Sequence, residues 1–427
     1  MAATAKAVAQ QEFLVHPLAN GLTLVAEPIA AVRSAAFTLL IPTGSAYDPP
    51  GRCGTAYMAA ELVMRGAGPR DTRQVVLDLD RLGVSRSGTV EAEYITFGGA
   101  TLGTNLAAAL SIYADVVQRP HLPSGELEPI RRAVLQELEV QEEDPRNKLS
   151  IELRRRHWPY PWSQPPNGLR DDVRAITYED LRGFWEQRFT PQGAVLGVAG
   201  QFQWDALRTC VDELFGRWDG PAPAPPAEGA RGERITHLVQ QTAQTHIGLA
   251  CDAVSYAHEE FFALRAALAV LAEGSSSRLF TEIREKRGLC YAVWATYAGL
   301  RAFGSLICYV GTTPEKATKA LELLVEELER LGQDLNDEEL RRAKVGLKSA
   351  LIMGCESSSA RANAVTRDWF YLGRVRSVRE IQQAIDTLSA EAIMQHLHRF
   401  PLRNYTVVTL GPEAPELPVG LRNARSG

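Results

Sequence analysis

The feature that most limits how this chain can fold is that it repeats itself. The run DGPAPAPPAEGARGE at Asp219–Glu233 has too much Pro, Ala and Gly to pack a core and suits an extended connector. Near its end, each of the flanking halves carries the same unit. In the first half, TYEDLRGFWEQRFTPQGAVLGVAG runs from Thr177 to Gly200. It reads as a helix capped by Thr177, a short loop, then an apolar strand closing on Gly. SAEAIMQHLHRFPLRNYTVVTLG, from Ser389 to Gly411, repeats that order in the second half. Ser389 follows Thr177 by 212 positions and Gly411 follows Gly200 by 211, the one-residue slip a diverged duplication leaves.

The expected organisation is therefore two homologous domains, 1–218 and 234–427, joined by a connector at 219–233 that would permit hinge motion between them. In each half strands come early and long helices follow. Segments Leu22–Glu27, Ser34–Ile41, Tyr94–Ala100, His246–Cys251, Ala292–Ala298 and Gly304–Tyr309 read as strands. Helices are expected at Thr104–Val117, Ser124–Glu143, Asn147–His157, Glu259–Ala272, Pro314–Leu331 and Asp337–Ala364. Clusters without strict βα alternation place the fold in the α+β class.

Composition removes several functions. With 45% hydrophobic and 23% charged residues and a net charge of −5, the chain offers no basic surface for nucleic acid. No run of about 18 apolar residues suggests a membrane span, and the polar, Ala-rich start at Met1–Gln11 lacks a signal-peptide core. Six scattered cysteines without a CxxC pair read as free thiols in a reducing compartment. A cytoplasmic location is expected.

Three stretches of the first half carry a resemblance. They are NGLTLVAEP (Asn20–Pro28) followed by TGSAYDPPGRCGTAYMAAELVMRGAG (Thr43–Gly68), the acidic helix VLQELEVQEEDP (Val134–Pro145), and HWPYPW with the Thr177–Gly200 unit after it. In order and spacing these resemble pitrilysin/insulinase-type zinc metallopeptidases, the group that includes the mitochondrial processing peptidase. The likeness implies two duplicated domains, each a largely antiparallel sheet with helices packed on it, forming half of a clamshell chamber. It also implies an inverted zinc motif, H-x-x-E-H, on the helix after the Gly-Thr-Ala turn, with a distal Glu as the third ligand. Two His one turn apart hold the metal and the Glu activates water.

Here those positions read Tyr57, Ala60 and Glu61. Both imidazoles are gone, and the base is a methyl group. The distal acid persists as Glu137, 76 residues after Glu61. It reads either as a vestigial ligand or as a solvated or cap-paired acid on a charged helix. None of the eight His forms a helical pair at a spacing of three or four, and His157 reads as shaping a loop. No metal is expected in this chain.

The second half matches the family's substrate-binding segment in EGSSSRLFTEIREKRGLCYAVWATY, Glu273–Tyr297. The resemblance pairs Arg284 with Tyr291, seven residues apart, as donors to the peptide and to a tetrahedral oxyanion. Read without it, Arg284 belongs to a charged helical face and Tyr291 opens a core strand. The expectation is a catalytically incomplete subunit, inactive alone, that serves a homologous zinc-bearing partner in hydrolysing unfolded peptides. The alternative is a purely structural core-type subunit of a larger assembly.

Overall fold

The computed structural model describes residues 11–418 and residue 421; the outer ends expected for the two domains lie outside them. Eleven strands are present among these residues: β1 (Leu14–Pro17), β2 (Thr23–Pro28), β3 (Ser34–Ile41), β4 (Ser85–Val90), β5 (Ile95–Leu102), β6 (Val195–Gly200), β7 (Ile235–Val239), β8 (Thr245–Ala253), β9 (Cys290–Gly299), β10 (Gly304–Thr312) and β11 (Thr406–Gly411).

They form two sheets of one design. The first has the order β1-β2-β6-β3-β5-β4 and the second β7-β11-β8-β10-β9. Apart from the added β1, strand follows strand in the same sequence. In each sheet one pair is parallel, β2 with β6 and β7 with β11, and the other pairs are antiparallel. Both copies of the repeated unit form as the caps dictate. The Thr177 hydroxyl accepts from the Asp180 amide at 3.2 Å and the Ser389 hydroxyl from the Ala392 amide at 3.0 Å. The strands that follow, β6 and β11, are buried along their whole length. The duplicated α+β architecture is thus present in the backbone.

Each sheet packs one face on helices of its own half. Phe37, Leu39 and Ile41 of β3 enter the first core, and Ile247, Leu249 and Cys251 of β8 enter the second, at the period of two that a strand imposes. The opposite faces are covered by exchange. The helix Ser358–Leu372 of the second half lies on β2, β6 and β3, and the helix Pro145–His157 of the first half lies on β8 and β11.

The expected single helix Asp337–Ala364 is therefore two. It runs from Asp337 to Cys355 and restarts at Ser358, where the Ser357 hydroxyl caps the new turn by accepting from the Ala360 amide at 3.3 Å. The break lets the second piece cross to the other half. Gly197 on β6 permits close approach, because a Cβ there would stand 1.9 Å from the Thr366 hydroxyl and 2.9 Å from the Ala362 carbonyl.

Polar bonds pin the exchange. Buried Arg361 donates to buried Glu27 at 2.7 Å, the Thr38 hydroxyl to Asn363 at 2.6 Å, and the Ser34 and Ser358 hydroxyls share a bond at 3.0 Å. Breaking such a buried pair from one side leaves an uncompensated charge. The halves are consequently not free to swing about the connector, although residues 218–233 carry no regular structure.

On the reciprocal side, His157 is the last residue of its helix rather than part of a loop, and only 1% exposed. Its ring nitrogens meet Ser305 Oγ at 2.7 Å and Thr406 Oγ1 at 3.1 Å, on β10 and β11. Burial pushes its pKa down to about 4, against the pull of Asp252 and with Arg231 and Arg234 adding to the depression. The folded value lies below the ordinary value of about 6.5, so the folded state binds fewer protons than the unfolded one. The stabilisation is complete above pH 6.5 and disappears as pH falls through 4, a loss of about 3 kcal/mol. Urea midpoints at pH 7 and pH 4.5 are expected to differ more for the native chain than for His157→Gln; equal differences would contradict this.

Candidate functional site

The helix Thr55–Val63, which carries Tyr57, Ala60 and Glu61, is firmly placed. Asp48, buried, accepts from the Gly54 amide at 2.7 Å and from the Ala56 amide at 2.7 Å, satisfying donors that a helix start leaves open. Gly54 has φ 109° and a Cβ there would stand 3.0 Å from Gly168 Cα, so only glycine fits. Asp48 and Gly54 hold the helix against the loop that contains Asn167.

Opposite lies the helix Leu127–Glu143 with Glu137. The structure brings Tyr57 and Glu137 together: the phenol donates to Glu137 Oε2 at 2.9 Å. Asn167 donates to the other carboxylate oxygen at 3.0 Å and Gln141 to the same oxygen at 3.4 Å. Burial, then the carboxylate beside it, pushes the Tyr57 pKa above its ordinary value, so the phenol stays a donor. Glu61 is exposed and turns to Arg65, 3.7 Å away. Ala60 offers a methyl group to a cleft of 670 Å³ walled on the far side by β4 residues Arg86–Val90.

This set does not suit zinc. The metal needs deprotonated ligands converging on one point, whereas here a protonated phenol and two amides already saturate the one inward carboxylate. Among the described residues no group of three or more His, Cys, Asp or Glu is placed to hold a metal ion. The Tyr57 bond to Glu137 ties the two helices together.

Arg284 and Tyr291 lie elsewhere; neither lines the first-half cleft. Both occupy irregular backbone. Arg284 belongs to a π-helical turn, Phe280–Glu285, a rare form that is frequent at functional sites. Its guanidinium lies 4.8 Å over the Phe280 ring and makes no hydrogen bond or ion pair among the described residues. Tyr291 sits at a β-bulge, since Gly311 pairs with Ala292 but Thr312 with Cys290. The extra residue is re-aimed, and Tyr291 is 64% exposed instead of opening a core strand. The nearby Lys286 and Arg287 both pair with Glu282, at 2.7 and 2.6 Å, which leaves Arg284 as the unpaired cation of the segment.

Sequence reasoning missed Asn167, Gln141 and Asp48, whose roles depend on distant contacts. The D-P-P-G-R-C-G turn at Asp48–Gly54 is the only signal that could have pointed to Asp48.

The fold is a duplicated α+β framework in which Glu137 is held by hydrogen bonds from Tyr57, Asn167 and Gln141. The family model described as Insulinase (Peptidase family M16) matches residues 24–160, and that described as Peptidase M16 inactive domain matches 175–347. A Mycobacterium tuberculosis protein described as an uncharacterized zinc protease is 28% identical over 415 residues, covering 95% of each chain. A Bacillus subtilis protein of like description is 24% identical, covering 92% of this chain and 97% of its own. A Pseudomonas fluorescens structure described as a peptidase M16 inactive domain superposes with a TM-score of 0.87 at 20% identity, over 95% of this chain and 100% of its own. A protease from Helicobacter pylori superposes with a TM-score of 0.86, also at 20% identity, over 94% and 100%. The chain belongs to the insulinase, or pitrilysin-type, zinc metallopeptidase family and lacks that family's H-x-x-E-H residues.

Among the described residues no helix is long and apolar enough to cross a membrane.

Proposed function

We propose that this chain is the catalytically incomplete subunit of a heterodimeric zinc peptidase and supplies Arg284 and Tyr291 to the active site of a homologous, zinc-bearing partner. The observation that carries this reading is the contrast between the two halves. The metal position is knitted shut by Tyr57, Asn167 and Gln141, while the side chains of Arg284 and Tyr291 stand exposed on a π-turn and a bulge without polar partners among the described residues. A guanidinium and a phenol so displayed can bind a peptide carboxylate or backbone and donate to an oxyanion. Unfolded peptides are the fitting substrates, because an enclosed chamber selects chiefly by size and chain extension. The cytoplasm is the fitting compartment, since four of the six thiols (Cys53, Cys251, Cys290, Cys308) are buried and all six are unpaired.

The test is peptide hydrolysis by this chain, by a zinc-bearing homologue, and by their mixture. Activity confined to, or strongly enhanced in, the mixture supports the proposal. A stable complex whose activity does not depend on this chain would make it a structural core-type subunit instead.

A further inference from the structure

Strand β9 ends the second sheet and, among the described residues, pairs only with β10, so its outer edge presents unpaired backbone groups to an incoming chain. Three residues beyond Tyr291 on this strand stands Trp294, 41% exposed. The ring is not loose. It stacks on Tyr309, its cross-strand partner, at 5.4 Å between centroids and 18° between planes. Tyr309 is 3% exposed, and its hydroxyl is bonded to His246 Nδ1 at 2.8 Å. Arg146 lies 5.8 Å over the same Tyr309 ring.

An indole fixed flat on a buried aromatic, beside a bare strand edge, is a preorganised surface for a second flat apolar group. Arg146 lies against this stack, and Asp144, which accepts from the Arg146 amide at 2.9 Å, keeps its own opposite charge, so the surface selects by shape more than by charge. A flat ring can cover the indole face to face, as a lysine stem cannot.

Building on the assignment of Arg284 and Tyr291 to peptide binding, we infer that Trp294 is a specificity-determining residue that receives an aromatic side chain of an extended peptide lying along β9. Arg284 and Tyr291 hold backbone or carboxylate regardless of sequence, and Trp294 adds a side-chain preference a few residues away.

The experiment uses the full chain and fluorescence anisotropy with a labelled peptide of Ala, Ser and Glu carrying one central Phe, alongside counterparts with Ala or Lys at that position. The Phe peptide is expected to bind about ten-fold more tightly than the Ala peptide, one stacking interaction's worth. Trp294→Ala removes that preference, so that the Phe and Ala peptides bind alike. Trp294→Leu, which keeps Tyr309 covered, does the same and guards against a folding defect. Arg284→Ala weakens both peptides alike, which separates the two assignments. Preference retained in both Trp294 variants overturns the inference, as does tighter binding of the Lys peptide. Loss of association with a zinc-bearing homologue, with peptide preference intact, would make Trp294 a subunit contact and also overturn it. Binding of neither peptide to the native chain would overturn the Arg284 and Tyr291 assignment, and this one with it.

Discussion

Replacing Tyr291 by Phe is expected to lower the turnover of a complex between this chain and a zinc-bearing homologue by about 10²–10³-fold, the usual effect of deleting one oxyanion donor. The substitution removes one hydroxyl and leaves the ring. Because Tyr291 is 64% exposed and its hydroxyl has no hydrogen-bond partner among the described residues, stability should hardly change. The loss should fall on kcat, with KM nearly constant, since the bond forms to charge that develops only in the transition state. Arg284→Ala should raise KM as well, because a guanidinium also binds the ground-state peptide. Single-turnover kinetics on complexes matched for assembly would check both. An unchanged kcat for Tyr291→Phe would remove the catalytic role and leave the chain a scaffold.

The second large effect is a gain. The triple variant Tyr57→His, Ala60→Glu, Glu61→His is expected to bind one zinc per chain, measured by elemental analysis after dialysis and reversed by a chelator. The reason lies in what has not been lost. Asp48 and Gly54 still fix the start of the helix, and the Tyr57 hydroxyl still lies 2.9 Å from Glu137. Two imidazoles four residues apart would project from one helical face toward that carboxylate. Tyr57→Phe, by contrast, should bind no metal and should lose stability, because Glu137 forfeits a charge-assisted bond of about 1.5–3 kcal/mol. A folded triple variant without zinc would mean that the backbone, and not only the side chains, has drifted.

Much of the fold was open to reading because the duplication and the strand alternation are local patterns. Strand β3 begins and ends where the apolar run Ser34–Ile41 does. Strand β4 was not legible: SRSGTV is exposed along almost its entire length, has no buried face to impose alternation, and is a strand only because β5 pairs with it. The break at Glu356–Ser357 was hidden for another reason. Helical spacing continues through it, and what ends the first helix is the destination of the second, a contact some 160–330 residues away in sequence. At the site, spacing and resemblance singled out Tyr57, Ala60, Glu61 and Glu137, of which the structure joins Tyr57 to Glu137 and turns Glu61 to Arg65. That Glu137 would be saturated by Asn167 and Gln141 could not be read, since amide donors carry no motif. Nor could the π-turn and bulge that expose Arg284 and Tyr291.

The exchanged helices carry a mechanical consequence. With Ser358–Leu372 clasped on the first sheet and Pro145–His157 on the second, a cut anywhere in the connector leaves two fragments that still hold one another. Under the two-subunit function proposed above, a hinge inside the polypeptide would then be a poor route for admitting substrate. Entry would fall instead to separation of one polypeptide from the other, which obeys mass action. Access would become a property of subunit concentration, and dilution would act on access before it acts on chemistry.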